Sequence, residues 1–129
     1  MLQLEHIHHI AIICSDYSRS RHFYTEILGL QIIQEVYREE KDSYKLDLAL
    51  NGKYVIELFS FLEPPQRCSG PEASGLRHLA FAVSNLVRSV QQLSLLGIDC
   101  EPLRTDPYTQ KQFTFFQDPD QLPIELYEI

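Results

Sequence analysis

The chain has 129 residues, 44% hydrophobic and 22% charged, which is the composition of one folded domain and not of a disordered or fibrous segment. With 18 acidic residues against 11 lysines and arginines the net charge is −7, which argues against nucleic acid and anionic membrane surfaces as partners. No apolar run approaches the ~20 residues of a membrane helix; the start MLQLEHIHH lacks the parts of a signal peptide, and Cys14, Cys68 and Cys100 read as reduced thiols, so a cytoplasmic protein is expected.

Residues 7–14 (IHHIAIIC) read as a buried strand. Asp16 offers an N-cap for a helix over about 17–28, with Phe23, Tyr24, Ile27 and Leu28 on its apolar face and Gly29 at its C-terminal stop. Strands are expected over 30–37, 44–50 and 54–61, the last two joined by the hairpin turn Asn51-Gly52. Residues 63–75, with three prolines and two glycines, read as a surface connection. The order then restarts: a strand over 77–83, an N-cap at Asn85, and a helix with Val90, Leu93 and Leu96 on one face, closed by Gly97. A weak extended stretch is expected between Ile98 and Leu103, and strands over 111–117 and 123–129 flank a turn at Asp118-Pro119-Asp120.

This restart is an internal repeat. At an offset of 69, His9, Ala11, Ser15, Arg19 and Ser20 meet His78, Ala80, Ser84, Arg88 and Ser89, and Asp16 meets Asn85. At an offset of 68, Leu28-Gly29 meets Leu96-Gly97, and Ile56-Glu57-Leu58 meets Ile124-Glu125-Leu126. The expected fold is α+β: two βαβββ modules, about 5–62 and 76–129, in a pseudo-twofold arrangement within one domain, joined by a linker over 63–75.

The repeat also duplicates chemistry. His9 and Glu57 are matched by His78 and Glu125, all four within apolar strand sequence, where an ionised carboxylate is costly unless it is paired or metal-bound. Alternation puts His9, Ala11 and Ile13 on one strand face, and His78, Ala80 and Ala82 on another, with small alanines leaving room beside each imidazole. Two imidazoles and two carboxylates suit a divalent transition metal. The alternative for any one of them is structural: a core histidine bonded to a backbone carbonyl, or a solvent-facing glutamate. His6, His8 and His22 have no repeat partner and read as non-ligands. Arg19 and Arg88 read as solvated, Glu39-Glu40 as an exposed loop, and Cys14 as a buried, inert thiol.

The motifs IHHIAI, Asp16, Arg19-Ser20, FYTEILGL, VIELF, LRHLAFAV, FFQDPD and IELYE together resemble the vicinal oxygen chelate (glyoxalase/bleomycin resistance protein) superfamily over essentially the whole chain. The resemblance implies a cup around one divalent metal held by His9, Glu57, His78 and Glu125, with nickel or zinc favoured and cobalt, manganese or iron also suitable. It implies a homodimer and a small-molecule substrate. With both carboxylates present the pattern is most similar to that of glyoxalase I, which implies a lyase or isomerase that works through an enediolate, with Glu125 as base and Glu57 as its symmetry-related partner. Two departures stand out: Ile13 and Phe61 occupy positions where bacterial glyoxalase I enzymes resemble one another in carrying arginine and asparagine. A glutathione hemithioacetal is therefore not the expected substrate, although Arg77 or Arg104 could replace the missing contacts. The rival expectations are a metal-independent drug-binding module of the bleomycin-resistance type and an extradiol-type dioxygenase.

Overall fold

The computed structural model describes residues 1–129 and divides into two compact units, Met1–Pro65 and Gln66–Ile129. The first holds β1 (Ile10–Cys14), α1 (Tyr17–His22) continued by a wide π-helical turn (Phe23–Ile27), β2 (Gln31–Arg38), β3 (Ser43–Leu50) and β4 (Lys53–Ser60). The second holds β5 (Leu79–Val83), α2 (Leu86–Leu95), β6 (Arg104–Thr105), β7 (Gln112–Gln117) and β8 (Pro123–Glu128). Each unit forms a four-stranded sheet of the same plan, β1-β4-β3-β2 and β5-β8-β7-β6, with the first pair parallel and the rest antiparallel. The α+β class with two βαβββ modules is thus as the sequence leads one to expect. No helix is long and apolar enough to cross a membrane.

Strand alternation sorts the side chains of each sheet. In the first unit Ile12, Cys14, Leu46, Leu48, Ile56 and Leu58 are buried, as are Ser20, Phe23 and Tyr24 of the helical segment. Ala11 and Ile13 point the other way and are exposed. In the second unit Thr114, Phe116, Ile124 and Leu126 are buried with Leu86 and Leu93, so Phe113, Phe115, Glu125 and Tyr127 share the opposite face. The caps sit where their chemistry requires. Asp16 Oδ1 accepts from Arg19 N at 3.1 Å, and Asn85 Oδ1 from Arg88 N at 3.0 Å. Asn51 and Gly52 both have positive φ (51° and 79°), the geometry of the tight β3–β4 hairpin.

Four local expectations are corrected. The first strand begins at Ile10 and not at Ile7, so His6, His8 and His9 escape strict alternation. The helix after Asp16 ends as an α-helix at His22 and widens, with Leu28 N bonding Phe23 O at 2.9 Å; the adjacent rings of Phe23 and Tyr24 are both buried there. Leu96 of the second helical face is 53% exposed, because α2 stops at Leu95. The extended piece expected before Leu103 is instead the short β6, paired with β7 through Arg104–Phe113 and Thr105–Gln112.

Candidate metal centre

In the first unit Glu57 lies mid-strand between the buried Ile56 and Leu58, so alternation aims it at the open face of the sheet. The parallel β1–β4 register sets Ala11 beside Glu57, and His9, just ahead of β1, brings its Nε2 to 3.7 Å from Glu57 Oε1. The other carboxylate oxygen is occupied. Glu57 Oε2 accepts from Tyr54 OH at 3.3 Å and lies 3.4 Å from Lys45 Nζ. Across the β3–β4 register stands Asp47, buried, which accepts from Lys45 Nζ at 2.7 and 2.8 Å and from Tyr54 OH at 2.8 Å. Two neighbouring carboxylates would repel one another; the Lys45 ammonium between them offsets this. Its bond to Asp47 raises the Lys45 pKa, and burial together with the Asp47 bond raises that of Tyr54. His8 is drawn in as well. Its Nδ1 lies 2.8 Å from His9 Nδ1 and its ring 5.1 Å from Tyr54, so it does not alternate away from His9 as strand periodicity would require. With the proton on His9 Nδ1 and bonded to His8, the His9 Nε2 lone pair is available to a metal.

The second unit repeats the pair. His78 Nε2 lies 2.9 Å from Glu125 Oε2, and the Arg77 charge also acts on Glu125. The β7–β8 register places Phe115 opposite Glu125 and Phe113 opposite Tyr127. The Phe115 ring meets the His78 imidazole edge to face at 5.0 Å. Both phenylalanines lie under the Arg104 guanidinium, at 5.0 and 5.3 Å, while Arg104 is paired with Glu101 at 2.6 Å. A cavity of about 800 Å³ opens here, lined by His78, Glu125, Phe113, Phe115, Arg104 and Arg77 among others. Arg77 is held by Glu72 at 2.6 Å. A cavity of this size accommodates a small organic molecule.

The chemistry of each pair fits a divalent metal. Imidazole Nε2 and carboxylate oxygen are borderline donors, and ligands bound at about 2.0–2.2 Å to one ion stand roughly 3 Å apart, the separation of the His78–Glu125 pair at 2.9 Å. All four side chains are partly shielded, from 12% exposed for Glu125 to 36% for His9. No three His, Cys, Asp or Glu side chains are gathered into one group that could hold a metal ion, so each His/Glu pair stands as two donors. Ile13 and Phe61 are both half-exposed; Phe61 stacks parallel to Phe59, whose strand neighbour across β1–β4 is Ile13, so an apolar patch borders the Glu57 face. Sequence reasoning missed Lys45, Asp47 and Tyr54. A usable signal was present: alternation in YKLDLAL sends Lys45 and Asp47 to one face and the leucines to the other. The thiols lie apart from this chemistry, with Cys14 buried, Cys68 exposed and the Cys100 pKa raised by burial.

The family model for the Glyoxalase/Bleomycin resistance protein/Dioxygenase superfamily matches residues 6–126. The chain is 67% identical to the uncharacterized protein YwkD of Bacillus subtilis (strain 168) over 125 residues, covering 97% of this chain and 98% of that one. It is 61% identical to the uncharacterized protein YaeR of Escherichia coli (strain K12) over 128 residues, covering 99% of each. Among solved structures, the glyoxalase family protein from Enterococcus faecalis superposes with a TM-score of 0.90 at 47% identity, covering 96% of this chain and 98% of that one.

Proposed function

We propose that this chain, which belongs to the glyoxalase/bleomycin resistance protein/dioxygenase superfamily, is a metal-dependent lyase or isomerase acting on a small compound with two vicinal oxygens. The observation that carries the reading is the His/Glu pair repeated in register, His9 with Glu57 and His78 with Glu125, on the open face of each sheet. Together the four residues would hold one divalent ion, nickel or zinc by donor type, with cobalt, manganese or iron also suited. When bound, such an ion supplies Lewis acidity toward the substrate oxygens, offsetting the negative charge that develops on them.

The chain's own residues do the rest. Glu125 takes a proton from the carbon beside a substrate carbonyl, the C–H electron pair moves toward that carbonyl oxygen, and the proton is returned to the neighbouring carbon. Phe113 and Phe115 shelter this step from water on the second unit, and Arg104 and Arg77 offer donors for the polar end of the substrate. The apolar Ile13 and Phe61 leave little to orient a tripeptide, so the substrate is smaller than a glutathione adduct. The working form is a homodimer in the cytoplasm.

The test is proton exchange followed by NMR in D2O, with nickel- and zinc-loaded protein and a panel of α-hydroxycarbonyl and α-dicarbonyl compounds. Wild-type protein should exchange the C–H of at least one of them, and Glu125→Gln should slow that exchange about 10²-fold or more. The glutathione–methylglyoxal hemithioacetal should turn over weakly or not at all. Exchange that is indifferent to Glu125, or absent from the whole panel with either metal, would overturn the reading.

A further inference from the structure

The cavity of the second unit is lined by charges of both signs, and most of the positive charge is already spent. Arg77 Nε lies 2.6 Å from Glu72 Oε1, and Arg104 gives both Nε and Nη2 to Glu101 Oε1, at 2.8 and 2.6 Å. The remaining carboxylates, those of Asp99, Asp106 and Glu125, form no ion pair with either arginine. The amide of Tyr108, and then the Tyr127 hydroxyl, hold the Asp106 carboxyl below its ordinary range, so it is ionised at neutral pH. An anion entering this space meets an excess of like charge.

A ligand cation is no better served. The place it would take, over Phe113 and Phe115, is held by the chain's own Arg104 guanidinium at 5.0 and 5.3 Å. That guanidinium is well fixed, because the backbone of its partner Glu101 is bonded to β7 on both sides. Glu101 N donates to Phe115 O at 3.0 Å, and Glu101 O accepts from the buried Thr114 hydroxyl at 2.8 Å. Glu101 uses only part of the Arg104 donor set, so unspent N–H groups and unspent carboxylate oxygens line the same cavity. A hydroxyl group, which both donates and accepts, is the ligand group that satisfies such a mixture.

We infer that this cavity selects a neutral, polyhydroxylated molecule of monosaccharide size or smaller, and discriminates against anionic and amino derivatives of the same skeleton. The inference rests on reading the cavity as the substrate's, and it narrows that substrate to an uncharged hydroxy carbonyl, as opposed to a keto acid or a sugar phosphate. The cavity, about 800 Å³, has room for such a molecule.

The experiment is equilibrium binding to the full chain by calorimetry, once metal-free and once zinc-loaded. The neutral probes are dihydroxyacetone, ribose and glucose; the charged counterparts are dihydroxyacetone phosphate, ribose 5-phosphate, glucose 6-phosphate, glucuronate and glucosamine. Zinc itself would attract phosphate, so the metal-free chain decides the charge preference. At least one neutral compound should bind there about tenfold tighter than each of its charged counterparts. Asp99→Asn, an exposed change, should reduce the discrimination against phosphate about threefold. Arg104→Gln uncovers the phenyl rings and leaves Glu101 unpaired, so glucosamine should gain about tenfold relative to glucose. Anionic or amino counterparts that bind wild type as tightly as the neutral compounds, no binding of any neutral compound, or no gain for glucosamine in Arg104→Gln would overturn the inference. Selective binding of neutral compounds with no proton exchange in the zinc-loaded protein would leave the inference standing and remove the lyase reading.

Discussion

Glu35 shows how a single side chain ties an edge strand to the helix above it. Its carboxylate on β2 accepts from Arg21 Nε at 2.8 Å and from the Tyr17 hydroxyl, and Tyr17 in turn stacks flat on Tyr44 at 4.2 Å. The bonds from Tyr17 and then Arg21 hold the Glu35 carboxyl below its usual range. A depressed carboxylate contributes stability that is fully present above its unfolded value of about 4.3 and is lost as the pH falls through the lower folded value. Solvent screening keeps that contribution small, about 0.5 kcal/mol. Urea unfolding of Glu35→Gln should therefore show the variant about 0.5 kcal/mol less stable than wild type at pH 7, with the gap closing on acidification. A gap that persists when both side chains are neutral would mean that packing, not charge, is responsible. The two His/Glu pairs, His9 with Glu57 and His78 with Glu125, were legible from sequence because the repeat flags them twice. For Lys45 and Asp47 alternation shows only that they share a face; that this face meets Glu57 and Tyr54 is given by the β3–β4 register alone.

At the scale of elements, α2 illustrates how a short helix is fixed at its start. Its first amides are satisfied by two separate side chains: Asn85 Oδ1 bonds Arg88 N at 3.0 Å, and Glu128 Oε2, from the last residue of β8, bonds Leu86 N at 2.8 Å. The first of these is local and was readable from Asn85 standing before an apolar-periodic segment. The second joins residues 42 apart in sequence and could not be read without the sheet. Asn85→Ala should cost about 1 kcal/mol in thermal or urea unfolding, the usual loss for an N-cap; a neutral result would mean that Glu128 takes over the freed amide. The π-helical turn at Phe23–Ile27 belongs to the same class of unreadable detail. Helical periodicity continues through Ile27 and Leu28, and only the bond from Leu28 N to Phe23 O shows that the turn widens to take two adjacent rings into the core. The late start of β1, at Ile10, has a parallel effect, since it lets His8 lie beside His9 where strict alternation would have parted them.

For the whole molecule, the internal repeat is the feature from which function follows. Two sheets of one plan give two faces, and each face carries one imidazole and one carboxylate. The units have diverged around that shared core: one has built a polar network behind its glutamate, the other an aromatic wall and a cavity of about 800 Å³. The central claim is the proposed binding of one divalent ion by His9, Glu57, His78 and Glu125. The direct measurement is anomalous diffraction from crystals of the untagged protein grown with nickel. The account predicts one strong peak per site, about 2.0–2.2 Å from donor atoms of His9, Glu57, His78 and Glu125. A peak bound by only one of the two pairs, or nickel located elsewhere with both pairs vacant, would contradict it.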